Sequence, residues 1–134
     1  MTSLSNLINL EVMKSEITRV EKPWGYELIF AKTKDYVGKI LHIKAGQKLS
    51  LQYHNEKEET IFVARGHIKF VFEPKKGELV EIDLREGEAH HIPPKHTHRM
   101  IAVLDSDLFE VSTPQLQDVV RLEDSYGRIP TSNA

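Results

Sequence analysis

The 134-residue sequence contains no cysteine, and this absence removes several kinds of chemistry. Disulfides, a thiolate nucleophile and cysteine-ligated zinc all need a side chain that the sequence does not contain. The sequence also lacks an apolar run of the roughly 18 to 20 residues that a membrane-spanning helix needs. We therefore expect neither thiol chemistry nor a membrane partner.

The sequence also lacks a large excess of charge of either sign, because its 18 basic residues nearly balance its 20 acidic residues. No basic stripe with interleaved aromatic residues occurs, so we expect no nucleic-acid partner. Residues 1–8 lack the basic start and long apolar core of a signal peptide. The sequence therefore predicts a cytoplasmic soluble protein, whose length suits one domain with a substantial core.

From Tyr26 onward, the sequence contains short apolar or alternating runs separated by turn residues such as glycine and proline. Many short strands at near-regular spacing indicate an all-β sandwich or barrel. Residues 1–20 are predicted to form an N-terminal arm (a short helix or an exchanged strand), 21–128 a single domain, and 129–134 a frayed C-terminus. The predicted strands lie near Tyr26–Ala31, Val37–Ile43, Leu49–His54, Thr60–Ala64, His67–Phe72, Leu79–Leu84, Ala89–Ile92, His98–Val103 and Leu108–Ser112.

Four polar side chains have the spacing of metal ligands. Residues two apart on a strand face the same side, so Gln52 and His54 can aim at one point. Glu59 opens the next strand-like run, and His98 lies in a third. Two imidazoles, a carboxylate and an amide oxygen suit a borderline or hard divalent cation. We expect a divalent metal ion, with zinc as the first choice and manganese, iron, cobalt or nickel as alternatives.

Two further polar residues share the faces of these predicted ligands. Ser50 lies on the face of the first two ligands, and Lys57 precedes the glutamate by two residues. A hydroxyl and an ammonium beside the metal suit the phosphate of a sugar phosphate, although Lys57 also lies in a charged cluster that water could solvate. Lys48 has the parity of Ser50 but lies near a turn, so it is either a phosphate ligand or a solvated side chain.

The proton carrier of such a site has two candidates. Glu110 alternates with apolar neighbours and can point inward, where a buried carboxyl is suited to proton transfer; a structural salt bridge is the alternative. His96 lies two residues before the predicted metal ligand His98. It is either a second base or a residue that contacts the substrate or supports that ligand.

Residues 46–66 resemble the first signature of the cupin superfamily, in which a glycine, His-x-His, a glutamate and a second glycine follow at fixed spacing. In this sequence Gln52 replaces the first histidine of that signature. The second signature is matched by Gly87, Pro93 and His98. The resemblance implies a cupin double-stranded β-helix, which is a small β-barrel or jelly roll.

A longer stretch resembles the C-terminal isomerase domain of the bifunctional phosphomannose isomerase/mannose-1-phosphate guanylyltransferases. The resemblance rests on Gln-x-His followed by glutamate, on Lys22-Pro23-Trp24-Gly25, and on residues 118–128. It implies an isomerase of mannose 6-phosphate and fructose 6-phosphate, with Arg121 reaching the substrate at the barrel mouth. Because no glycine-rich phosphate loop opens the sequence, we do not expect synthesis of a nucleotide sugar.

Two other functions stay open, because a fold does not decide a function. A cupin can bind carbohydrate without turnover, or it can be another metal-dependent enzyme such as a dioxygenase or a nucleotide-sugar isomerase. A dioxygenase more often keeps the histidine that Gln52 replaces. We also expect a homodimer, since the exposed strand edge of a barrel is commonly covered by pairing.

Overall fold

The computed structural model describes residues 13–129, in which all regular secondary structure is β-strand. The nine predicted strands are all present, most of them within two residues of the predicted ends, and two more strands flank them. No helix in the described range could cross a membrane. The strands are β1 Thr18–Lys22, β2 Gly25–Lys32, β3 Val37–Ile43, β4 Leu51–Tyr53, β5 Glu59–Arg65, β6 His67–Lys75, β7 Glu78–Arg85, β8 Ala89–Ile92, β9 His98–Ala102, β10 Ser106–Ser112 and β11 Val120–Glu123.

The strands form two sheets whose pairs are antiparallel. The larger sheet has the order β1-β2-β3-β10-β5-β8, and the smaller has the order β11-β4-β9-β6-β7. From β3 onward the chain passes repeatedly from one sheet to the other, so that neighbours in a sheet are distant in sequence except in the β6–β7 hairpin. This interleaving gives the double-stranded β-helix that the sequence predicted.

The interior between the sheets is apolar at one end and polar at the other. In β10, Leu108 pairs with Leu41 on one side and Val63 on the other, which makes an apolar row across three strands. Two residues along β10, Glu110 also points inward, because successive side chains alternate between the two faces of a strand. The alternation that builds the core therefore also places charged groups inside the barrel.

The Lys22-Pro23-Trp24-Gly25 segment forms the turn between β1 and β2. Trp24 is buried in the core, and Gly25 has a φ of 153°. A Cβ atom at Gly25 would lie 1.9 Å from the carbonyl oxygen of His42, so only glycine fits there. Lys22, at the end of β1, pairs with this glycine across the turn.

The edge strands β1 and β11 were not predicted from the sequence. Strand β1 lies partly within the predicted N-terminal arm and pairs with β2 of the same chain along its whole length. Its sequence, Thr-Arg-Val-Glu-Lys, is mostly exposed and carries no strong apolar alternation. Residues 1–12, which hold the rest of the predicted arm, and residues 130–134 of the predicted frayed terminus lie outside the described residues.

Candidate metal centre

Three of the four predicted metal ligands converge between the two sheets. The Nε2 atom of His98 lies 3.2 Å from Glu59 Oε1, and the Nε2 atom of His54 lies 3.5 Å from the same oxygen. The two imidazole centroids are 5.2 Å apart. All three residues are buried, and one ligand atom from each lies within 4.8 Å of the others.

The protonation of the two imidazoles follows from their outer contacts. Nδ1 of His54 donates to the backbone carbonyl of Asp118 at 2.5 Å, and Nδ1 of His98 donates to the carbonyl of His96 at 2.9 Å. Because a carbonyl can only accept, each Nδ1 carries a proton, and Nε2 is the nitrogen that each ring turns toward Glu59. Two imidazole nitrogens and a carboxylate facing one point form a donor set that fits a divalent cation.

Glu59 remains ionised despite its burial. Burial acts to raise the pKa of this carboxyl, but hydrogen bonds with His54 and His98 and the charge of Lys57 outweigh it and hold the pKa well below its usual range. The centre therefore contains a negative charge that a cation can neutralise.

Lys57 and Glu110 extend this charge arrangement away from the imidazoles. The Lys57 ammonium lies 2.9 Å from Glu59 Oε2 as an ion pair and donates a hydrogen bond to Glu110 Oε2 at 3.3 Å. Burial opposes the charge of Lys57, but Glu110 and Glu59 outweigh it and raise the pKa of Lys57. Burial, together with the charge of Glu59, raises the pKa of Glu110.

Residues 10–124 match the mannose-6-phosphate isomerase C-terminal family, and this range is most of the chain. The chain belongs to this family.

Two curated relatives agree with membership of the isomerase C-terminal family. Xanthan biosynthesis protein XanB of Xanthomonas campestris pv. campestris is 36% identical over 124 residues, or 86% of this chain and 25% of XanB. Mannose-1-phosphate guanylyltransferase ManC of Salmonella typhimurium is 36% identical over 116 residues, or 82% of this chain and 23% of ManC. The chain thus spans about a quarter of the length of these relatives.

A comparison with solved structures bears on the fold of this isomerase-family chain. Oxalate decarboxylase from Bacillus subtilis superposes with a TM-score of 0.68 at 19% identity, over 89% of this chain and 33% of that one. At this identity the likeness concerns the fold alone. It confirms the predicted cupin double-stranded β-helix.

The fourth predicted ligand and two further predicted residues line the same cavity as His54, Glu59 and His98. Gln52 lies directly opposite His98 in the β4–β9 ladder, and Arg121 lies directly opposite Gln52 in the β11–β4 ladder. Ser50 is fully buried, and its hydroxyl has no hydrogen-bond partner among the described residues. A buried hydroxyl without a partner is costly unless a ligand or water satisfies it, so Ser50 marks a polar position for a ligand.

Two predicted residues do not line this cavity. His96 contributes to a separate pocket with Phe70, Phe72 and His90, and its Nδ1 atom contacts the carbonyl of Glu73 at 3.1 Å. Strand β9 begins only at His98, so the alternation of faces does not extend back to His96. Lys48 likewise precedes β4, and only an isolated bridge joins it to the neighbouring strand.

Sequence reasoning assigned no role to Asp118, which organises the loop that carries His54. Its carboxylate accepts hydrogen bonds from the backbone amides of Asn55, Glu56 and Lys57 at 3.0, 2.7 and 2.9 Å. These three bonds lower the pKa of Asp118. Since the Asp118 carbonyl also accepts a hydrogen bond from His54, one residue orients a predicted metal ligand through both its backbone and its side chain.

Proposed function

We propose that this chain is a metal-dependent sugar-phosphate isomerase that interconverts mannose 6-phosphate and fructose 6-phosphate. One observation carries the proposal: two imidazole nitrogens and Glu59 face a common point, while a second buried carboxyl, Glu110, lines the same cavity. An aldose–ketose isomerase needs both a site for developing negative charge and a group that moves a proton. Membership of the isomerase C-terminal family supports the assignment.

A divalent ion, with zinc as the first choice, would be held by His54, Glu59 and His98, with the Gln52 amide oxygen as the fourth ligand. Such an ion supplies a Lewis acid that polarises the substrate carbonyl and stabilises the charge that develops on its oxygen. Burial of the three converging ligands keeps competing water away from this charge.

Glu110 is our candidate for the proton carrier. In the aldose-to-ketose direction its carboxylate would take the proton from C2, leaving an enediolate, and would return it to C1, while the hydroxyl proton of O2 passes to O1. Lys57 holds Glu110 in place through the 3.3 Å hydrogen bond. The unpartnered hydroxyl of Ser50 would bind a sugar oxygen. Of the two predicted bases, Glu110 lines the cavity and His96 does not.

Metal analysis combined with a coupled isomerase assay and proton NMR in D₂O tests the proposal. The zinc-loaded protein should interconvert the two sugar phosphates and exchange the C2 proton with solvent. Glu110→Gln should keep the metal while lowering kcat by about a hundredfold or more. His91→Gln, at an exposed histidine of β8, serves as the control. Binding of sugar phosphate with no exchange in the wild type would instead make the chain a carbohydrate-binding module.

The predicted homodimer remains part of the proposal. Sedimentation at micromolar concentration should give twice the mass of the chain. A monomeric mass would contradict it, without bearing on the isomerase assay.

A further inference from the structure

The cavity of the proposed metal centre is rich in positive charge. Five cationic side chains line it: Lys22, Lys39, Lys57, Arg121 and Arg128. The two deepest are already neutralised within the barrel. Lys57 lies between Glu59 and Glu110, and Lys39 Nζ lies 3.4 Å from both carboxylate oxygens of Glu27. An anionic ligand must therefore find its partners among the remaining three cations.

Arg121 is the most available of these three. Its guanidinium makes no hydrogen bond or ion pair with any residue in the range 13–129, and burial together with the charge of Arg128 lowers its pKa. Arg121, Gln52 and His98 form one row across β11, β4 and β9. Two strand spacings place the backbone of Arg121 about 10 Å from that of the metal ligand.

Lys22 and Arg128 lie close to this guanidinium. Burial lowers the pKa of Lys22, and the charge of Glu27 opposes this shift. The positive charges of Lys39, Arg121 and Arg128 lower the pKa of Lys22 further. Arg128 is fixed by two side-chain hydrogen bonds to Asp124, at 2.8 and 3.0 Å, that leave its side chain 22% exposed. Lys22 in turn lies 4.0 Å from Glu27, so within residues 13–129 Arg121 is the one of these three cations without an ion-pair partner.

We infer that Arg121, with Lys22 and Arg128 beside it, binds the phosphate group of the substrate, and that Lys57 does not. This inference rests on the proposed function, which supplies the sugar phosphate. Arg121 and His98 lie at the two ends of this row, about 10 Å apart. That separation suits a substrate whose phosphate lies at one end of the molecule and whose reactive carbons lie at the other. Arginine also matches phosphate through paired hydrogen bonds, whereas the ammonium of Lys57 is occupied by two carboxylates.

Titration calorimetry of the zinc-loaded full chain with mannose 6-phosphate tests this assignment, with mannose as the uncharged comparator. Arg121→Gln should weaken mannose 6-phosphate binding about tenfold to a hundredfold, since a hydrogen bond to a charged group is lost. Lys22→Gln should also weaken it, and Arg121→Lys should fall between wild type and Arg121→Gln. Mannose binding and metal content should not change.

Arg19→Gln is the matched control, because Arg19 is exposed and stacks over the ring of Tyr26 at 3.8 Å. Residue 19 lies three positions from Lys22 on β1, so the two side chains point to opposite faces. This variant should bind mannose 6-phosphate as the wild type does. Inorganic phosphate should compete with mannose 6-phosphate equally well in the wild type and in Arg19→Gln.

Several results would overturn the inference. One is unchanged affinity in Arg121→Gln and Lys22→Gln. Another is a loss of affinity confined to Lys57→Gln, which would return the phosphate to Lys57. A wild type that binds neither mannose 6-phosphate nor inorganic phosphate would also overturn it. A wild type that binds mannose 6-phosphate through Arg121 but does not isomerise it would support the phosphate site and refute the proposed function.

Discussion

Replacing Lys57 by methionine should destabilise the fold strongly, because it removes the cation that lies between two buried carboxylates. The Lys57 ammonium is 2.9 Å from Glu59 and 3.3 Å from Glu110, and all three side chains are at most 7% exposed. Methionine fills a similar volume, so the change removes charge with little loss of packing. The variant therefore measures what the buried cation contributes.

The expected cost is about 3–5 kcal/mol, the usual penalty for leaving a buried charge without its partner. An exposed pair contributes far less. Lys69 lies 3.6 Å from Glu81 with both side chains about half exposed, so Lys69→Met should cost no more than about 1 kcal/mol. The double variant Lys57→Met/Glu110→Gln should recover part of the loss, because one of the two stranded carboxylates is then neutral.

Urea unfolding of the metal-free protein, monitored by circular dichroism, measures these free energies. They follow from the transition midpoint when the slope of the unfolding free energy against urea concentration is the same in each variant. Repeating the measurement with zinc should give a smaller cost for Lys57→Met, since a cation at Glu59 then supplies compensating charge. A cost below about 1 kcal/mol in the metal-free Lys57→Met protein would refute the reasoning. It would mean that Lys57 is not committed to the two carboxylates, and it would reopen its role as a phosphate ligand.

Three further predictions concern the metal and acid stability. Alanine at His54 or His98 should remove most bound metal, as elemental analysis would show; full occupancy in both would refute the ligand set. Asp118→Ala should weaken zinc binding about tenfold to a hundredfold in a competition titration, because the loop carrying His54 loses three hydrogen bonds. Although burial raises the pKa of Asp107, its hydrogen bonds to His42 and Arg65 lower it overall. Their stabilisation is thus present above about pH 4 and is lost below it, so Asp107→Asn should lose less thermal stability between pH 5 and pH 3 than the wild type. Equal losses would contradict this.

Local alternation in the sequence was sufficient to predict the nine central strands and the convergence of His54, Glu59 and His98. On a strand, side chains two residues apart point to the same face. Gln52 and His54 could therefore be placed on one face without knowledge of the rest of the fold. The same rule failed where strands were absent or weakly patterned. His96 lies before β9 begins, and the exposed edge strand β1 offers no apolar alternation to detect.

The partners of the charged residues were decided only by the tertiary structure. Strand β10 lies between β3 and β5 in the larger sheet, and this placement brings Glu110 to Lys57, 53 residues earlier in the chain. Strand alternation in the sequence correctly indicated that Lys57 points inward. It could not show that the Lys57 ammonium is paired with two carboxylates. Likewise, Arg121 lines the cavity because β11 pairs with β4. Strand parity is a local property of the backbone, whereas charge neutralisation depends on which distant strands become neighbours.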